Sequence, residues 1–321
     1  MKNIIIILVV ILGAGLGAYA WYMYTSSTAT VVEPEPVVDT EVVDNDHEVS
    51  GDPDEAETDT EQPPEPAVRT TPEAGETIIG TSAGGHDIVA HTFGSGEQTV
   101  LFVGGVHGGY AFNTTLLAYE LIEYLATDER RVPADMTVTV IPALNPDGLV
   151  RAGASAERFT ATAITNDTTV RTRSRFNDNN VDINRNFDCQ WQASGQWQDQ
   201  TVNAGSAPFS EPEAQAIQGF VQAYLPVAVI TWYAAAGEVF PAACGNDNPS
   251  AATLALRDAY ANATPYTAAA EFTYYPITGD MMDWLAANDI PAISVLLSDR
   301  ESTEWEANRA GVTAVLEQLS Q

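Results

Sequence analysis

Four short stretches of this chain are apolar almost without interruption. Between them, apolar side chains return every three or four positions. The uninterrupted runs are Thr99–Val103, Met136–Ile141, Val227–Trp232 and Ala292–Leu297. Their length and β-branched content predict strands buried on both faces. The periodic stretches Asn113–Leu125, Glu211–Tyr224, Ala251–Ala261, Gly279–Ala287 and Glu304–Leu319 predict amphipathic helices. Strand and helix signals alternate, so the fold class is α/β, with layers of helices on a sheet. No internal repeat is visible.

The first 76 residues follow a different pattern. Ile4 to Tyr24 is an uncharged apolar run preceded by Lys2. As a helix it would span roughly 32 Å, enough for a hydrocarbon core of about 30 Å. Two readings follow: a transmembrane anchor over 1–24, or a signal peptide cleaved near Ala18-Tyr19-Ala20. Either one exports the rest of the chain, leaving it membrane-anchored and extracytoplasmic or secreted. Residues 25–76 carry 16 acidic side chains and one basic, Arg69, with many Pro and Thr. Such a segment cannot offset its ordering entropy by burial, and reads as an acidic, disordered linker.

The folded domain is expected over 77–321, with 28 acidic and 11 basic side chains. The whole chain has a formal charge of −31, and its positive side chains are Arg apart from Lys2. That excess repels nucleic acid, which is excluded as a partner. The membrane enters only through the N-terminal helix. Cys189 and Cys244 are the two cysteines. In an exported chain they are disulfide candidates, the alternative being two separate thiols.

Six short motifs then occur in a fixed order. They are Gly104-Gly105-Val106-His107-Gly108, Leu144-Asn145-Pro146-Asp147-Gly148, and Arg175 followed by Val181-Asp182-Ile183-Asn184-Arg185-Asn186-Phe187. Tyr275-x-x-Thr278-Gly279 with Trp284, Pro291–Val295, and Thr303-Glu304-Trp305 follow. In this combination and order residues 77–321 resemble the M14 family of zinc carboxypeptidases. The resemblance implies a three-layer α/β/α sandwich around a mixed, mostly parallel central sheet. It also implies a zinc ion that polarises a scissile carbonyl and activates water, and a glutamate that moves the proton.

Carried over position by position, the resemblance divides the site. His107 matches the first zinc ligand and Asp182 the carboxylate behind it. Arg175 matches the oxyanion arginine, with Arg173 as the alternative. Asn184 and Arg185 match the clamp for a terminal carboxylate, and Tyr275 the tyrosine that closes over substrate. The remaining ligand positions hold Tyr110 and Ala234, and the catalytic glutamate position holds Leu296. No cofactor is therefore expected, unless a zinc site is rebuilt from Glu238, His86 or His91. Three functions follow from this set. One is a pseudoenzyme binding peptide C-termini, cell-wall peptides or another carboxylate. The others are an active zinc carboxypeptidase with a divergent site, and a scaffold in which the arginines make structural ion pairs. Trp191 and Trp197, in the polar stretch 190–200, are expected on a hairpin packed against the domain.

Overall fold

The computed structural model describes residues 70–320 except Asn246. The apolar segment Ile4–Tyr24 and the linker up to residue 69 lie outside the described residues. Among the described residues no helix is long and apolar enough to cross a membrane.

Ten strands form among the described residues: β1 (Gly75–Thr81), β2 (Asp87–Gly94), β3 (Gln98–Val103), β4 (Met136–Ile141), β5 (Ser194–Trp197), β6 (Gln200–Asn203), β7 (Ala228–Ala234), β8 (Glu238–Pro241), β9 (Thr267–Ala268) and β10 (Ala292–Leu297). Seven α-helices accompany them: α1 (Phe112–Ala126), α2 (Pro146–Arg151), α3 (Thr168–Arg173), α4 (Pro212–Tyr224), α5 (Ala251–Asn262), α6 (Met281–Ala287) and α7 (Trp305–Leu319). Eight strands make one sheet in the order β1-β2-β4-β3-β7-β10-β8-β9, and β5 and β6 form a separate hairpin. The central strands β4, β3, β7 and β10 are parallel. Antiparallel pairs join β1 to β2, β2 to β4 and β10 to β8. β1 begins two residues inside the segment expected as linker, because Gly75 and Glu76 pair with Thr92 and His91.

Alternation along the central strands feeds two cores. Val100, Phe102, Ile230, Trp232, Ile293 and Val295 face one side and pack with Leu117 and Leu121 of α1, Tyr260 of α5 and Val315 of α7. Leu101, Val103, Val229 and Ala292 face the other and pack with Ile217 and Phe220 of α4 and with Met281 and Leu285 of α6. Helices therefore cover both faces, and the continuous apolar runs are explained. β4 buries Thr137 and Thr139 as well, and both hydroxyls are bonded, to Gly96 O and to Thr92 Oγ1.

A buried carboxylate cluster ties the β1–β2 turn to the loop after α3 and to the start of α4. Asp147 accepts from the Ser82 hydroxyl, from Gly84 N at 2.9 Å and from Asp178 N at 3.0 Å. Glu213 accepts from Ala83 N at 3.0 Å and from Asn177 Nδ2 at 3.0 Å, and the same amide donates to Glu211 at 2.7 Å. The nearby cation, Arg151, is paired with Asp178. Burial raises the carboxyl of Glu213 to about 7 from 4.5, and Asp147 adds to the rise. The folded state then binds more protons than the unfolded chain between those two values. The contribution to stability is complete below about pH 4.5 and is lost as pH rises through about 7. Glu213→Gln should flatten the pH dependence of urea unfolding over that window by up to roughly 3 kcal/mol. An unchanged slope would contradict this account.

Candidate functional site

The carboxyl ends of β3, β7 and β10 open onto one cavity of about 310 Å³, lined among others by His107, Arg175, Arg185, Tyr275, Leu296 and Arg300. The register explains the meeting: Leu296 pairs with Tyr233, and Val103 with Thr231. A crevice beyond the carboxyl ends of parallel strands is a common ligand position in α/β sheets.

His107 follows β3 on a turn that needs glycine. A Cβ on Gly105 (φ +64°) would sit 2.5 Å from Thr115 Oγ1, and one on Gly108 (φ +45°) 2.7 Å from Gly148 Cα. The close approach of this turn to the start of α2 holds His107 in place, 5.3 Å from the ring of Tyr233. Burial and the charges of Arg175, Arg185 and Arg300 hold its pKa well below the usual value, so the imidazole is neutral. Its Nδ1 is buried without a hydrogen-bond partner.

Asp182 was expected behind His107 and is elsewhere. Its Oδ2 accepts from Arg175 Nε at 2.8 Å and its Oδ1 from Asn184 N at 3.2 Å. Both members of the Arg175–Asp182 pair are almost fully buried. In such a place a guanidinium attracts a carboxylate far more strongly than a neutral imidazole does. The other face of Arg175 lies 4.5 Å over Trp197. The alternative, Arg173, is exposed at the end of α3 and does not line the cavity.

Asn184 and Arg185 do line it, and both are already engaged. Asn184 Nδ2 donates to Asp280 at 2.6 Å and its Oδ1 accepts from the Tyr233 hydroxyl at 3.1 Å. Arg185 donates from Nε and Nη2 to Gln196 O, at 3.1 and 2.9 Å, and from Nη1 to Asn184 O at 2.6 Å. Among the described residues Nη1 and Nη2 each use one hydrogen in these bonds. Tyr275 stands over this guanidinium, 5.9 Å from ring centre to Cζ. The expected hairpin is β5–β6, and it seats Trp197 against Tyr110 at 5.0 Å. Trp191 instead bonds Ala204 O. Cys189 and Cys244 form a disulfide, and Cys189 O accepts from Gly279 N at 2.8 Å beneath the clamp.

Four further residues line the cavity to which the sequence motifs give no role. Asp280 caps α6 by accepting from Met282 N at 2.7 Å. Burial raises its carboxyl, with Arg185 opposing the rise. Asp283 is raised to about 8 by burial and by Asp280, so it is mostly protonated at neutral pH. Tyr233 bonds Asn184, and Arg300 lies 4.6 Å over the ring of Tyr110. An N-cap aspartate is readable in Thr278-Gly279-Asp280, but a polar side chain on a rim is not.

The family profile for peptidase M14, zinc carboxypeptidase, matches residues 67–306. The chain belongs to the zinc carboxypeptidase family. Solved structures agree on the fold. Bovine thrombin-activatable fibrinolysis inhibitor, in complex with tick carboxypeptidase inhibitor, superposes with a TM-score of 0.59 at 15% identity over 76% of this chain and 90% of that one. A metallo-carboxypeptidase from Burkholderia cenocepacia gives 0.55 at 16% over 78% and 66%. Murein-tripeptide amidase from Escherichia coli O157 gives 0.51 at 17% over 77% and 92%. No curated protein matches the chain.

The family's zinc does not fit the donors present. Among the described residues no group of three His, Cys, Asp or Glu side chains is arranged to hold a metal ion. His107 has Tyr110 and Ala234 where further ligands belong, no carboxylate behind it, and three guanidinium groups near it. Of the substitutes, Glu238 pairs in register with Leu296 but accepts from the Tyr274 hydroxyl, while His91 pairs with Glu76 on the β1–β2 side and His86 lines a separate cleft there. A single neutral imidazole facing cations binds a dication poorly. The full chain equilibrated with zinc and freed of excess should carry far less than one ion per chain by mass spectrometry. A chelator should leave its melting temperature unchanged.

Proposed function

We propose that this chain is a non-hydrolytic member of the zinc carboxypeptidase family that binds a ligand through a free carboxylate. The observation that carries the reading is Arg185. It is buried, faces the cavity, keeps hydrogens on Nη1 and Nη2, and forms no ion pair among the described residues. Asn184 and Gln196 hold its plane, so a carboxylate would meet a preorganised donor. Tyr275, Phe272 and Met282 supply an apolar wall for the rest of a ligand. Leu296 has no group to accept a proton from water, and His107 has none of the partners that would give it a metal. The ligand class is a peptide with a free α-carboxylate, cell-wall peptides included. The apolar segment Ile4–Tyr24 would hold the domain at the outer face of a membrane, which carbonate extraction of cell membranes tests.

Calorimetry should show a short peptide binding the full chain at least roughly tenfold more tightly than its C-terminal amide. Arg185→Ala should erase that preference. The peptide should be recovered uncut. Chelator-sensitive release of its last residue would overturn the reading, as would equal binding of acid and amide.

A further inference from the structure

Seven arginines of the domain hold a carboxylate: Arg130, Arg151, Arg158, Arg171, Arg175, Arg257 and Arg309. Among the described residues Arg131, Arg173, Arg185 and Arg300 form no ion pair, and of these Arg300 is flanked by acidic residues on both sides. Asp299 turns its Oδ1 to Glu301 N and Ser302 N, each at 2.8 Å. Glu301 is paired with Arg171 at 2.6 Å. The loop is held from below by Asn113, fully buried on α1, whose Nδ2 donates to Asp299 O and Ser302 O at 2.9 Å. The guanidinium rests on the Tyr110 ring, and its Nε is buried with no hydrogen-bond partner. In a domain so rich in acid, a cation fixed by its backbone and its stacking face, yet left without an anion, is a receptor for one.

The cavity that Arg300 lines contains a second orphan. His107 Nδ1 is buried and unpartnered, and the ring is fully enclosed. A neutral imidazole can donate one hydrogen bond to an anion, and the guanidinium supplies the charge. Neither group is needed by the Arg185 clamp. From these two unsatisfied groups in one enclosure we infer that Arg300 and His107 form a second anion subsite, and that the ligand is a dicarboxylate held at both Arg185 and Arg300. This rests on the carboxylate-binding reading of Arg185 and names the ligand class for it. The cavity that both arginines line also has aromatic and aliphatic groups in its wall, which suits a ligand with an apolar body and two charged ends.

The test uses the full chain and pairs of ligands that differ by one charge. Succinate, glutarate, adipate and suberate are titrated by calorimetry, each against its own half-amide. Ala-Glu-Ala against Ala-Gln-Ala tells a peptide diacid from a free one. At least one diacid should bind roughly tenfold more tightly than its half-amide. Arg300→Gln should bring that diacid down to the level of its half-amide, and Arg300→Lys should recover part of the difference. The thermal melt of each variant guards against misfolding. Diacids and half-amides binding alike, with binding still lost in Arg185→Ala, would overturn the second subsite and leave the first intact. If no free acid, including a simple tripeptide, binds better than its amide, the clamp itself fails and the inference falls with it.

Discussion

Asp182 has two carboxylate oxygens, and both are engaged inside the protein, one by Arg175 and one by the backbone of Asn184. That contact decides what the neighbouring groups can do. It neutralises Arg175, so the charge left facing the cleft comes from Arg185 and Arg300. It also leaves His107 without a carboxylate to orient or charge it, so the imidazole stays neutral under three guanidinium groups. Desolvating two such charges is costly, and the pair is kept because each would cost more alone. The stacking of Arg175 on Trp197 adds to this, since a desolvated cation over an indole face gains about 2 kcal/mol in favourable cases.

The chain announces the inner sheet plainly. Strands β4 and β10 match their apolar runs residue for residue, and β3 and β7 differ only at their ends, because strands buried on both faces admit little polarity. The five longer helices also coincide with their periodic stretches to within two residues. The edge strands β1 and β9, and the short β8 beside β9, are less legible. One face of an edge meets solvent, and residues such as Glu76 and Glu238 dilute the pattern. Within the site, the identities at 107, 110, 234 and 296 are readable from motif order alone. The turning of Asp182 to Arg175 is not, since it depends on which of two basic neighbours stays charged after burial. Nor is Arg300, whose position is set by Asn113 from a helix nearly two hundred residues earlier in the chain.

The clamp is rigid for reasons outside the cleft. Gln196, on the β5–β6 hairpin, accepts twice from Arg185, while Phe187 N and Gly279 N are exchanged with Gly279 O and Cys189 O just below. The Cys189–Cys244 bond closes a loop of 55 residues around this support. Closing a loop of that size is worth up to about 4 kcal/mol on the chain-entropy account. On the floor of the cleft the mostly neutral Asp283 adds little negative charge near Arg185.

Tyr110 stands at the position that the sequence resemblance matches to a metal-binding glutamate, and its ring is the platform on which Arg300 lies. Returning a carboxylate to position 110 would remove the platform and set a negative charge beside a guanidinium that now lacks one. That carboxylate would be captured as an ion pair before it could coordinate anything. Positions 110 and 300 are therefore energetically coupled: a substitution at one changes the surroundings of the other, so the effects of the two will not add.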